Sequence, residues 1–260
     1  MCIRDSLQPA STFVAPEPTS ESCLTLDIYR PAHHAGRLPV MVWIYGGGFT
    51  TGGSSSYDGS ALANSGNVIV VAINYRLGAF GFLASSALAA RNGGHTGNFG
   101  LADQTEAFGW IRKNIGFFGG NASNVTIFGE SAGGISACDQ IVSPSAKGLF
   151  DAAISQSGFC GANQMTLAAA EPASDLIVAE LGCASTGDVA ACLRKLPAAK
   201  ILGVSPTGSL GGGFAPVIDG AFLPLQFNDA IKMNRFNHVP TIIGGNHDEG
   251  TLFALSLIHI

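Results

Sequence analysis

Apolar residues run almost unbroken through Val40 to Tyr45 and Val68 to Ile73, and a shorter β-branched and aromatic run covers Val125 to Phe128. Continuous hydrophobicity over so few residues marks strands buried on both faces, as in a parallel sheet. Leu24 to Tyr29 alternates and reads as a strand, and further strands are expected at Ala152 to Ser157 and Thr241 to Gly245. Between strands the period changes. Leu101, Thr105, Phe108, Ile111 and Ile115 have helical spacing, closed by Gly116 and the Gly119-Gly120 pair. Helices are also expected over Ile135 to Val142, Ala168 to Gly182 and Val189 to Leu196, with a short one at the end of the Gly52 to Ala63 loop. Strands separated by helices predict an α/β fold: a mostly parallel central sheet with helices on both faces.

Two strand ends carry chemistry. Val125 to Phe128 runs directly into Gly129-Glu-Ser-Ala-Gly133, a G-x-S-x-G sequence. A serine at the tip of a strained strand-to-helix turn needs neighbours without a Cβ, because chains cross closely above and below it. Such a turn exposes the Ser131 hydroxyl at the carboxyl end of the sheet and aims the Ala132 N–H at the place where a substrate oxyanion would form. Upstream, Val40 to Tyr45 runs into Gly46-Gly47-Gly48, a loop that offers bare backbone N–H groups to a ligand oxygen. It lacks the G-x-G-x-x-G spacing of a dinucleotide site.

Composition narrows the rest. The chain has 260 residues, a net charge of −5 and only 12% charged residues. That gives no electrostatic case for nucleic acid. No apolar run approaches the ~18 residues of a membrane span. There is no repeat. The six cysteines include no C-x-x-C pair, so no zinc site is expected, and no cofactor is implied. The end strings, residues 1–6 and 255–260, carry no helix or strand period and are expected to be non-native, leaving 7–254 as one incomplete domain.

With both motifs in hand, the chain resembles the type-B carboxylesterase and lipase family, which also holds the cholinesterases. The resemblance rests on Ser20 to Tyr29, Trp43-Ile-Tyr-Gly-Gly-Gly-Phe49, Asn74-Tyr-Arg-Leu-Gly78, Gly97 to Gln104, Phe128 to Gly134, Gln156-Ser-Gly158 and Phe214 to Gly220, in the family's order. It implies an α/β-hydrolase fold and hydrolysis of small carboxylic esters through a serine acyl-enzyme. Ser131 would be the nucleophile, with Gly47, Gly48 and Ala132 as oxyanion donors. Arg76 would pair with Asp103 beneath the site. Glu249, in Gly244-Gly-Asn-His-Asp-Glu-Gly250, would be the acid of the triad, with Asp248 the fallback. Ser157 would either donate to that carboxylate or bond to backbone. Cys183 and Cys192 would form a disulfide, which points to a secreted or periplasmic protein. Cys23 would have lost its partner, and Cys138 would be a buried free thiol; Cys160 is unassigned.

A serine nucleophile also needs a histidine base, which in this fold follows the acid along the chain. Only His259 follows Glu249, ten residues on and inside the terminal string. The expectation is therefore an amino-terminal part of a longer enzyme, ending before the last strand and inactive by itself. One rival is a non-catalytic, cholinesterase-like adhesion or binding protein, which the intact Ser131 disfavours; a second is a peptidase or amidase on the same fold, which the Gly46-Gly47-Gly48 loop and the position of the acid loop disfavour. Acyl and alcohol preference and oligomeric state are not legible.

Overall fold

The computed structural model describes residues 20, 22–204 and 213–250. Six strands form one sheet: β1 (Leu26–Tyr29), β2 (Leu38–Ile44), β3 (Ile69–Ile73), β4 (Gly120–Glu130), β5 (Ala152–Gln156) and β6 (Thr241–Gly244). Their spatial order is β1-β3-β2-β4-β5-β6. Only β1 is antiparallel, against β3; every other pair is parallel. Parallel neighbours need crossovers, and helices supply them. These are α1 (Ser60–Gly66), α2 (Gly78–Phe82), α3 (Ser86–Ala89), α4 (Phe99–Asn114), α5 (Ala132–Val142), α6 (Leu167–Glu180), α7 (Val189–Lys195), α8 (Ala198–Leu202) and α9 (Phe227–Lys232). The fold is that of an α/β-hydrolase, with α5 packed on β2, β4 and β5 and α1 on β3.

All five residues of β3 are buried, as its unbroken apolar run requires. Val40, Val42 and Ile44 of β2 are fully enclosed. Each such side chain contributes about 1.5–3 kcal/mol relative to exposure. The other face of β2 differs from the sequence expectation. Met41 and Trp43 are only half-buried. Trp43 lies in a groove with Tyr57, Leu62 and Phe128, where Tyr57 and Leu62 give it partial apolar cover. β4 starts at Gly120, five residues before the apolar run begins. Pairing of Gly120 with Leu38 extends it through polar positions that have no strand signal of their own. The four- to six-residue helices α2, α3, α8 and α9 went unpredicted, because one turn cannot show a helical period.

The cysteine pattern needs two corrections. Cys138 is not a free thiol: it is bridged to Cys160, with Cα atoms 5.6 Å apart and a sequence separation of 22. The contact exists because α5 packs against the loop that follows β5, and nothing in local spacing announces it. Cys23 is disulfide-bonded, not orphaned. Cys183 and Cys192 are bridged, joining the turn after α6 to α7. Disulfides are compatible with an oxidising compartment. Among the described residues no helix is long and apolar enough to cross a membrane.

Candidate active site

The carboxyl ends of β2, β4, β5 and β6 lie side by side at one edge of the sheet, where open α/β sheets bind ligands. The Gly46-Gly47-Gly48 loop follows β2, and Ser131 follows β4. The Ser157-Gly158 turn follows β5. The Glu249 loop follows β6.

Ser131 sits between β4 and α5 at φ 55°, ψ −122°, a conformation that costs a non-glycine residue about 1–3 kcal/mol. It is held there by close crossings. The Ser131 N–H donates to the Gln156 carbonyl at 2.9 Å. A Cβ on Gly133 would stand 1.9 Å from the Ile44 carbonyl oxygen, and one on Gly158 would stand 2.4 Å from the Gly134 carbonyl carbon. Glycine at these places lets β2 and the β5 turn press against the start of α5 and pin the strained serine.

Gly47 adopts φ 108°, and its carbonyl accepts from the N–H groups of Thr50 and Thr51, so the loop turns back on itself. No acceptor among the described residues takes the N–H groups of Gly47, Gly48 or Ala132. Gly48, Ser131 and Ala132 border a cavity of about 560 Å³. A loop end and a helix N-terminus thus present unspent donors beside one hydroxyl, and the helix dipole adds partial positive charge there.

The acid loop is polarised in a definite way. Ser157 donates its hydroxyl hydrogen to Glu249, and the Asn246 N–H donates to the same Glu249 oxygen at 2.7 Å. These hydrogen bonds, first from Ser157 and then from Asn246, hold Glu249 below the usual carboxylate range. Asp248 points elsewhere: its carboxylate lies 3.0 Å from His247 Nδ1 on the exposed side of the loop. Glu130, beside Ser131, is pushed up by burial and then by the charge of Glu249. Among the described residues no histidine bonds to Ser131 or borders the cavity. His95 Nδ1 is taken by the Asp219 carbonyl at 2.8 Å, and His259 lies outside the described residues.

Arg76 makes two side-chain bonds to Asp103, each 2.7 Å, and its backbone N–H adds a third at 3.0 Å. The Asp103 side chain is only 6% exposed, so this pair ties the loop after β3 to α4 from inside. Among the described residues no cluster of His, Cys, Asp or Glu could hold a metal ion.

The sequence model described as "Carboxylesterase family" matches residues 1–259. The chain belongs to the carboxylesterase family. It is 42% identical over 236 residues to a protein named cocaine esterase from Oryctolagus cuniculus, covering 89% of this chain and 43% of that one. It is 42% identical over 243 residues to carboxylesterase 5A from Homo sapiens, covering 91% and 41%. Among solved structures it resembles a PNB esterase with a TM-score of 0.81 at 37% identity, covering 97% of this chain and 53% of that one. The chain therefore spans less than half the length of these two curated relatives.

On this carboxylesterase framework the cavity also recruits residues that sequence reasoning passed over. Phe82, Phe214 and Phe227 line it, from three separated segments. Phe159 lines it at φ 44°, next to Ser157 at φ 53°. Asp139 lines it from α5. Its one sequence signal was an acid inside Ile135-Ser-Ala-Cys-Asp-Gln-Ile-Val142, an otherwise weakly polar helix.

Proposed function

We propose that the whole protein is a serine carboxylesterase and that Ser131 is its nucleophile. The observation that carries this reading is the strained Ser131 turn facing the unspent N–H groups of Gly48 and Ala132 across one apolar cavity. The Ser131 hydroxyl adds to the ester carbonyl while its proton passes to a histidine base supplied from outside the described residues. The N–H groups of Gly47, Gly48 and Ala132 hold the negative oxygen of the tetrahedral adduct. Collapse expels the alcohol, which takes the proton back from the histidine, and leaves an acyl-serine. Water repeats the sequence and releases the acid.

Glu249 is the third member. Held below the usual carboxylate range by Ser157 and Asn246, it is anionic at neutral pH and suited to orient an imidazole and stabilise its protonated form. Arg76 and Asp103 fix the loop and helix that frame the serine turn. Substrates are small carboxylic esters, and no metal or cofactor takes part. The disulfides fit a secreted or periplasmic protein.

Treating the protein with an organophosphate and mapping the adduct by mass spectrometry tests the assignment. A single adduct on Ser131 is expected, lost in Ser131→Ala. Labelling at another residue, or esterase activity in Ser131→Ala equal to that of the unaltered protein, refutes it.

A further inference from the structure

One residue at the cavity carries strain that the fold does not explain. Phe159 borders the same cavity as Ser131 and adopts φ 44°, a left-handed conformation that is an outlier for a bulky side chain. A glycine would hold this turn without strain, and Gly158 and Gly161 stand close by in the chain. The phenyl ring contributes little packing: it is 63% exposed, and among the described residues it pairs with no other aromatic ring. Its backbone is nonetheless held from both sides. The Ser157 N–H donates to the Gly244 carbonyl at 2.7 Å, Gly158 is pressed against Gly134, and Cys160 is bridged to Cys138. The Phe159 carbonyl accepts from the Ala162 N–H at 2.8 Å. A large apolar group kept accessible at a cavity, in a strained and well-anchored turn, marks a contact with something other than the protein. The rest of the wall is rich in the same side chain, since Phe49, Phe82, Phe214 and Phe227 also line the cavity.

We propose that Phe159 is a specificity-determining residue that packs its ring against an aromatic ring of the substrate, so that esters bearing an aryl group are the preferred class. The proposal rests on the reading above in taking the occupant of this cavity to be the ester that Ser131 attacks. The choice of a ring follows from the chemistry of the contact. Phenylalanine presents a flat, rigid face with only two side-chain torsions to order. Offset or edge-to-face contact with a second ring adds attraction beyond burial, which a saturated group of the same size does not draw. A saturated ring buries at least as much apolar surface, so burial alone gives an aryl group no advantage over it.

Titration of the unmodified protein with acetophenone and with cyclohexyl methyl ketone, followed by ligand-observed NMR, tests this without turnover. The two ketones share a carbonyl and a six-membered ring, and neither can be hydrolysed. Acetophenone is expected to bind about two- to tenfold tighter, the usual advantage of an aromatic pair over burial alone. Phe159→Leu keeps an apolar side chain and should abolish or reverse the preference, while Phe159→Tyr keeps the ring and should retain it. Equal or tighter binding of the cyclohexyl ketone by the unmodified protein, absence of binding by both probes, an aryl preference that survives Phe159→Leu, or its loss in Phe159→Tyr each overturns the assignment. The comparison on the unmodified protein decides by itself if a variant does not fold. Neither probe needs a nucleophile or a base, so the two readings fail separately. An organophosphate adduct on Ser131 without an aryl preference refutes the role of Phe159 alone. An aryl preference carried by Phe159, with the adduct on another residue, refutes the proposed nucleophile and leaves the ring contact standing.

Discussion

Replacing Asp139 by asparagine keeps the side chain's shape and its Gln164 contact while removing the titrating proton. Burial raises the Asp139 carboxyl from the ordinary value near 3.8 to about 8, with the Gln164 hydrogen bond pulling it partly back. Between pH 5 and pH 8 the unfolded chain has this carboxyl ionised while the folded protein still holds its proton. The folded state then binds one more proton than the unfolded state, so stability falls as pH rises, by about 1.4 kcal/mol per pH unit. Across that interval the loss reaches about 4 kcal/mol, and it levels off above the folded value, where both states are ionised. Asp139→Asn lacks this contribution. Urea unfolding with disulfides intact, at pH 5 and pH 8, should show the unaltered protein losing about 4 kcal/mol more than the variant over the interval. A pH dependence that is the same in both proteins would refute the argument that a buried, protonated carboxyl stands at this position.

Three other outcomes follow from the packing. Asp103→Ala leaves the Arg76 guanidinium, itself only 28% exposed, without its bidentate partner, and should cost about 2–4 kcal/mol by chemical denaturation; a loss under about 1 kcal/mol would show the pair to be dispensable. Gly133→Ala places a Cβ 1.9 Å from the Ile44 carbonyl, so it should cost at least about 3 kcal/mol or prevent soluble expression, and a neutral result would mean the β2 crossing is looser than described. Removing the Cys183–Cys192 bridge, which closes a nine-residue separation, should lower stability by about 2–3 kcal/mol in the chain-entropy account; an unchanged unfolding midpoint in the double serine variant would contradict it.

What the chain's own order of residues determined was whatever depends on near neighbours. Unbroken apolar runs mark β2 and β3, because a strand covered on both faces has no polar side to show. Gly129-Glu-Ser-Ala-Gly133 and Gly46-Gly47-Gly48 were legible because close backbone crossings forbid a Cβ, and that prohibition is written directly in residue type. Other features were decided only when distant segments met. β4 reaches back to Gly120 because β2 offers pairing there, and polar Asn121 to Asn124 then join a strand that their side chains do not favour. Ser157 chooses Glu249 over backbone because β5 and β6 end side by side and leave 92 residues of sequence separation within hydrogen-bond reach. Cys138 finds Cys160 in the same way, across 22 residues. The unsatisfied Asp139 oxygen is the clearest instance. An aspartate in a helix is ordinary in sequence, and its meaning comes entirely from burial and from a single partner, both of which are properties of packing in three dimensions.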